Sequence, residues 1–432
     1  MIIIYSPYFY PEYIGGAERL AYYTALGFKK NKIKVSIITL GKVINHYIYE
    51  GIDVYVLPLI TSEENKKEIS IAELNFSLDY LQPVIIHIIG LIAVTNIIEY
   101  AARKNIPTSM AGMDYSIPCD NRTLIRGNQS VCSGRKNIND CFNCNLESGR
   151  KRDKILATIG KNSPNFLNTI FSDVGTKLLG RKFGSQLYFW ESFKKREKVR
   201  EILKNNLNIY IAPSKFTKDV VSNYFQKNKT EIFELMYPLS EEYLKDYKKK
   251  INKKQLIVGY IGRVIPIKGL EILLESIRLL DPDLSIYFKI YCPNNNDFVD
   301  YRLNLKNKFT KLENVDWNEC GVLNADELKI IHSNLDILVV PSIWQEYLGF
   351  VTIEALSLGT PVILSDFESQ SHFVQNTNNG KLFSTGNSVE LSQVITDYYN
   401  RKIESGLPET EYKIPTVEEY AKELLEIYKK VI

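Results

Sequence analysis

Short β-branched segments that alternate with helical patterns predict an α/β protein built from two parallel-sheet domains. Three observations carry that expectation. One is the alternation itself, and another is its restart in the second half after a lysine-rich stretch. The third is a length of 432 residues, more than one ordinary core fills. Hydrophobic residues at 45% and charged residues at 24% suit a globular chain. A net charge of +4 is too mild to imply nucleic acid, and no nucleic-acid-binding motif accompanies it.

The first strand is the run IIIYS (2–6), followed by a helix from Ala17 to Lys30 and a second strand, KVSIITL (34–40). VYVLPL (54–59), VIIHII (84–89), PTSMAG (107–112) and IYIAPS (209–214) continue the series. LIVGYIG (256–262), YFKIYC (287–292), DILVVPS (336–342) and PVILSD (361–366) repeat it. Such alternation implies parallel sheets covered on both faces. The most membrane-like stretch, VIIHIIGLIAVTNIIEYAA (84–102), is interrupted by His87, Asn96 and Glu99. It reads as a buried strand (84–89) running into a helix (91–103). The opening MIIIYSPYFYP has neither the basic start nor the long apolar run of a secretory signal. The expected location is the cytoplasm, where thiols stay reduced.

EEYLKDYKKKINKKQ (241–255) is polar and rich in lysine and reads as a linker. It sets the expected domains at 1–240 and 250–412. The closing VEEYAKELLEIYKKVI is amphipathic, with Tyr420, Leu424, Ile427 and Val431 at helical spacing. Asp281-Pro282-Asp283 is nominally a D-x-D metal motif, but it follows a helix end and reads as a turn.

In open parallel sheets, ligands collect where strands end in loops leading to helix N-termini. Three such loops have suitable chemistry. Gly15 and Gly16 precede the first helix, where bare backbone N–H groups can meet a phosphate at the positive end of the helix dipole. A glycine turn entering a helix is the plain alternative, and the G-x-G-x-x-G spacing of a dinucleotide site is absent. Arg263 and Lys268 bracket the turn after strand 256–262, two cations suited to a diphosphate. Glu346 and Gly349 lie in the loop after strand 336–342, and Glu354 falls in the first turn of the next helix. Carboxylates accept hydrogen bonds from vicinal hydroxyls, and a sugar nucleotide carries such pairs on both ribose and sugar.

Together these residues resemble the family-four retaining glycosyltransferases, which have the GT-B fold of two Rossmann-like domains facing a cleft. Glu346-Tyr347-Leu348-Gly349-Phe350 through Glu354-Ala355, then Gly359-Thr360-Pro361-Val362, follows that family's glutamate–seven residues–glutamate motif, with Leu348 where phenylalanine is usual. The Gly15-Gly16 loop, the Arg263/Lys268 loop, APS (212–214) and Asp114-Tyr115 with Cys119 extend the likeness over nearly the whole chain.

The resemblance implies that Arg263 and Lys268 hold the diphosphate and stabilise its charge as the glycosidic bond breaks. It gives Glu354 the ribose hydroxyls and Glu346 the donor sugar. Backbone N–H groups near Gly349, Phe350 and Val351 would face sugar and phosphate, and Gly15 and Gly16 would close on the diphosphate. Asp114 would stand near the reacting sugar and acceptor. The closing helix (416–432) would pack back on the N-terminal, acceptor-binding domain. The donor would be a nucleotide-diphosphate sugar, the acceptor a glycan, polysaccharide or glycolipid, and no catalytic metal is expected. One departure is Met113, where the family often has a histidine that a thioether cannot replace in moving a proton. It keeps open a non-catalytic sugar-nucleotide-binding protein; a GT-B epimerase or phosphorylase is the other alternative. His87 resembles a family strand histidine and also suits a satisfied core position. Another departure is KIYCPNNN, where a glycine-rich turn is usual.

Four of the six cysteines, Cys119, Cys132, Cys141 and Cys144, admit a structural zinc site, reduced thiols packed in a loop, or disulfides. Residues 150–204 are rich in Lys and Arg interleaved with Phe166, Phe171, Phe183, Tyr188, Phe189 and Trp190. That stretch admits peripheral contact with an anionic membrane and a lipid-linked acceptor, or an ordinary solvated helical face.

Overall fold

The structure is a computed structural model. It describes residues 1–13, 15–61, 67–127, 130–134, 137–147, 151–162, 189–226, 228–241, 255–294, 298–321, 323, 325–405, 407, 410 and 412–432. Two compact units account for it. The first is Met1–Tyr13, Lys32–Leu235 and Leu424–Ile432; the second is Ile14–Asn31 and Met236–Glu423.

The first unit contains β1 (Ile2–Tyr5), β2 (Val35–Gly41), β3 (Asn45–Tyr49), β4 (Ile52–Thr61), β5 (Lys67–Ile69), β6 (Ile85–Ile88), β7 (Thr108–Ala111), β8 (Ile209–Ala212) and β9 (Glu231–Glu234). Among the described residues they form one sheet in the order β3-β4-β2-β1-β6-β7-β8-β9, with β5 on β4. β1 runs parallel to β2 and β6, Ile2 facing Val35 and Ile85, so the central strand is the first in sequence. Its residues are fully buried because helices cover both faces. Ile3, Tyr5, Ile86, Ile88 and Tyr210 share one core with Leu78 and Ile98 from flanking helices. β3 and β5 are antiparallel additions to β4.

The second unit contains β10 (Leu256–Ile261), β11 (Ile286–Pro293), β12 (Val315–Cys320), β13 (Ile337–Val340), β14 (Val362–Ser365) and β15 (Gly380–Phe383). Their order, β12-β11-β10-β13-β14-β15, is the doubly wound 3-2-1-4-5-6 arrangement, parallel throughout. The strand order reverses between β10 and β13, so the loops leaving those two strands stand side by side at the switch point. Leu270, Leu273, Leu274 and Ile277 form the buried face of the helix Leu270–Arg278.

The helix Gly16–Lys30 groups with the second unit although its sequence lies in the first half. A β-carbon on Gly27 would sit 2.1 Å from the Val417 carbonyl oxygen, so glycine is what lets this helix touch the start of the closing helix Val417–Tyr428. That closing helix begins on a capping box. Thr416 N–H donates to Glu419 Oε2 at 2.9 Å, and Glu419 N–H to Thr416 Oγ1 at 3.1 Å. Its buried seam is Val417, Tyr420, Ala421, Leu424 and Tyr428; Ile427 is only half-buried, and Val431 lies beyond the helix end.

Other expectations meet the structure as follows. The stretch 84–102 is β6 and the helix Val94–Arg103, and among the described residues no helix is long and apolar enough to cross a membrane. Asp283 N–H donates to Asp281 Oδ1 at 3.0 Å, which makes the D-P-D segment an Asx turn. Most of the lysine-rich stretch 241–255, and Phe166, Phe171, Phe183 and Tyr188 of the basic stretch, lie outside the described residues. Within that basic stretch, Arg200 is buried and Arg196 half-buried. Both reach Asp120 Oδ1, at 2.8 and 3.1 Å, and Phe193 is buried against Phe142. Phe189 and Trp190 pack partly into the same small core.

Candidate functional site

The loop after β10 carries Arg263 and Lys268. Tyr260 ends the strand buried, and its hydroxyl donates to the Arg263 carbonyl at 2.8 Å, which fixes the start of the turn. The turn closes as a short 3-10 segment, Pro266–Lys268, ending at Gly269 with φ of 66°. A β-carbon there would lie 1.8 Å from the Pro341 carbonyl oxygen, in the loop after β13. Ile343 N–H donates to the Ile267 carbonyl at 2.9 Å, so the two switch-point loops are tied backbone to backbone.

That tie sets Lys268 beside Glu346. Lys268 Nζ is 2.6 Å from Glu346 Oε1, and the same oxygen accepts from Ser342 Oγ at 2.5 Å and Trp344 Nε1 at 2.9 Å. Three donors on one oxygen orient the carboxylate and offset its burial, since Glu346 is only 4% exposed. Lys268 Nζ also lies 5.6 Å from the centre of the Trp344 ring. Arg263 is exposed on the same turn.

The next helix, Phe350–Ser357, starts at Gly349, whose φ is 72°. Its internal ladder begins with Thr352 N–H donating to the Gly349 carbonyl at 2.9 Å. The N–H groups of Phe350 and Val351 therefore stand ahead of the ladder, at the positive end of the helix dipole. One turn on, Glu354 is fully buried. Its Oε1 pairs with the Arg19 guanidinium and its Oε2 lies 3.3 Å from His332 Nε2. Burial alone would push this carboxyl up, but Arg19 and the His332 hydrogen bond outweigh it and hold the group below the ordinary glutamate range.

Gly15 is the N-cap of the helix Gly16–Lys30 and has extended backbone. The Glu18 carboxylate lies 2.6 Å from where a Gly15 β-carbon would be, and it accepts from the backbone of Gly15 and Glu18. Burial nonetheless raises the Glu18 carboxyl overall. Of the glycine pair expected to meet a phosphate, Gly15 thus gives its N–H to the third residue of its own helix.

Asp114 belongs to the first unit, in the loop after β7. Its Oδ1 accepts from Ser116 N–H at 2.8 Å, and Arg122 is 3.8 Å from its Oδ2. Met113 beside it is half-buried. His87 is fully buried in β6, its Nδ1 3.1 Å from Ser109 Oγ, and burial drives it down to about 3. That is the environment of a neutral core histidine.

Cys119, Cys132, Cys141 and Cys144 all line one cavity in the first unit together with Asp120, Asn121 and Arg126. All are free thiols. Burial pushes Cys119 and Cys144 up, although backbone N–H groups aimed at both sulfurs work the other way. Among the described residues no group of three or more His, Cys, Asp or Glu side chains is placed to hold a metal ion.

Sequence reasoning missed Arg19, His332, Ser342 and Trp344, which hold the two glutamates. Ser342 and Trp344 lie four and two positions before Glu346 and could have been inferred from that proximity. Arg19 and His332 are 335 and 22 positions from Glu354, and only the fold brings them together.

Comparison with known proteins agrees with this architecture. Residues 244–408 match the family described as glycosyl transferases group 1. The Anabaena protein HepE, solved in complex with UDP-glucose, superposes with a TM-score of 0.63 over 99% of both chains at 13% identity. An uncharacterized glycosyltransferase of Methanocaldococcus jannaschii, MJ1607, is 23% identical over 191 residues, 41% of this chain and 46% of its own. The capsular polysaccharide biosynthesis glycosyltransferase CapM of Staphylococcus aureus is 23% identical over 207 residues, 44% of this chain and 52% of its own. The matches thus span about half the length of these curated relatives. The chain has the GT-B fold.

Proposed function

We propose that the protein is a retaining glycosyltransferase that moves a sugar from a nucleotide-diphosphate sugar to a glycan, polysaccharide or glycolipid acceptor. One observation carries this reading: Lys268, Glu346, the helix start at Gly349 and Glu354 gather around the loops that leave two neighbouring strands at the switch point. The family of segment 244–408 and the UDP-glucose held by HepE support the donor class. The CapM likeness supports a polysaccharide acceptor.

In this reading residues 250–412 bind the donor and residues 1–240 the acceptor. Arg263 and Lys268 take the diphosphate. The negative charge that develops on the leaving group as the glycosidic bond breaks is stabilised by them and by the N–H groups of Phe350 and Val351. Glu354 accepts the ribose hydroxyls. Glu346 accepts from the donor sugar while holding Lys268, so that one carboxylate couples sugar recognition to diphosphate binding. Gly15 and Gly16 meet the diphosphate, Gly15 once Glu18 yields its N–H group. Asp114 faces the acceptor side of the reaction, where Met113 supplies no proton.

A thermal-shift screen against UDP-, GDP- and ADP-sugars identifies the donor, because a bound ligand raises the melting temperature by mass action. Lys268→Ala then lowers transfer to a matched acceptor at least tenfold, the scale of one positioned electrostatic contact. Wild-type turnover in that variant contradicts the assignment. Tight nucleotide binding with no transfer and no donor hydrolysis favours instead a non-catalytic binding protein, the reading that Met113 keeps open.

A further inference from the structure

We infer that Arg19 is a positioning residue for donor binding: with His332 it holds the Glu354 carboxylate ionised and aimed, so that two of its acceptor positions remain for the two ribose hydroxyls. The inference rests on the reading of Glu354 given above. Three features of the second unit carry it. Arg19 lies in the first turn of the helix Gly16–Lys30, whose ladder opens with Arg19 N–H donating to the Gly15 carbonyl at 3.0 Å. Its guanidinium pairs with Glu354 Oε1 and lies 5.8 Å from the centre of the Phe350 ring, which limits its swing. His332, itself fully buried, takes the other oxygen at 3.3 Å.

A fully buried carboxylate survives as an anion only when paired. Arg19 supplies the charge, and its side chain, 14% exposed against 0% for Glu354, is the member of the pair that solvent reaches. An ionised carboxylate has about four lone-pair positions. Arg19 and His332 take one each, and about two remain, the number that a vicinal diol needs. Arg19 and His332 are also the charged or titratable groups that act on Glu354. Without Arg19, burial prevails and the carboxyl takes up a proton at higher pH. A protonated carboxyl offers fewer acceptors and binds ribose less well.

The test is calorimetric titration with whichever of UDP, GDP and ADP binds tightest, at several pH values from 5.5 to 8, for wild type, Arg19→Met, Arg19→Lys and Glu354→Gln. Wild-type affinity gives the reference profile, because the terminal phosphate of each nucleotide itself titrates in this range. Relative to wild type, Arg19→Met should lose about a further twofold or more between pH 8 and pH 5.5, since a carboxyl raised by about one unit is half protonated at the lower pH. Arg19→Lys should restore the wild-type profile because it returns the charge. Melting curves identify any variant that unfolds, and if Arg19→Met does, a wild-type profile with reduced affinity in Arg19→Lys carries the test. An Arg19→Met protein that melts earlier but keeps the wild-type pH profile overturns the inference and leaves Arg19 a structural ion pair. Glu354→Gln binding as tightly as wild type overturns the ribose assignment itself, as does a wild-type protein that binds none of the three nucleotides, and the inference falls with it.

Discussion

At the scale of single residues, the site depends on one position without a side chain. Gly269 combines a left-handed φ of 66° with a backbone carbonyl where a β-carbon would go. Gly269→Ala should therefore cost about 2–4 kcal/mol of second-unit stability in urea unfolding, from backbone strain plus the clash. It should also lower turnover, because the shift separates Lys268 from Glu346. An alanine variant as stable as wild type would mean that the loop yields freely. The placement of Arg263, Lys268, Glu346 and Glu354 at or just after the loops that leave two strands was legible, because strand ends and helix starts can be read locally. Their partners Arg19 and His332 were not, because they lie on other helices, 335 and 22 positions away, and such pairs leave no local pattern.

At the scale of elements, the buried central strands were legible and the edges were not. The segments 2–6, 34–40, 209–214 and 256–262 read as strands from β-branched runs and fold as β1, β2, β8 and β10. β3, β9 and β12 went unread. Edge strands need no continuous apolar run, and their residues alternate or stay half-exposed, as in NHYIY, EIFE and VDWNEC. The closing helix began where a T-x-x-E pattern permits. Thr416→Ala should cost about 1 kcal/mol by removing one half of its capping box, measured by chemical denaturation. Gly27→Ala should cost about 2–3 kcal/mol, since a methyl group cannot fit against the Val417 carbonyl without moving a helix. A loss below 0.5 kcal/mol would show that the two helices part easily.

At the scale of the molecule, two histidines, His87 buried and His372 half-buried, make stability depend on acidity. Burial lowers His87 of the first unit to about 3 and His372 of the second to about 4, against an ordinary 6.5. Below pH 6.5 the unfolded chain binds protons that the folded chain refuses, so stability falls as pH drops toward the folded values. The loss approaches about 1.4 kcal/mol per pH unit for each group. Urea midpoints should decline from pH 6.5 to 4, and His87→Asn should flatten the part of that decline belonging to the first unit. A decline unchanged by that substitution would assign it to carboxylates instead. The restart of the strand series announced two sheets, but sequence order alone could not announce which helix joins which.

That membership bears on any attempt to dissect the chain. A fragment excised at residue 236 and carried to 423 would retain the second sheet and all of its switch-point loops, yet it would shed the segment 14–31. The Val417 backbone that Gly27 packs against would lie bare, and the acid at 354 would lose its guanidinium. Truncation that follows the order of residues would thus amputate part of the unit it aims to isolate, and a fragment with 14–31 grafted onto it should recover solubility that the simple cut forfeits.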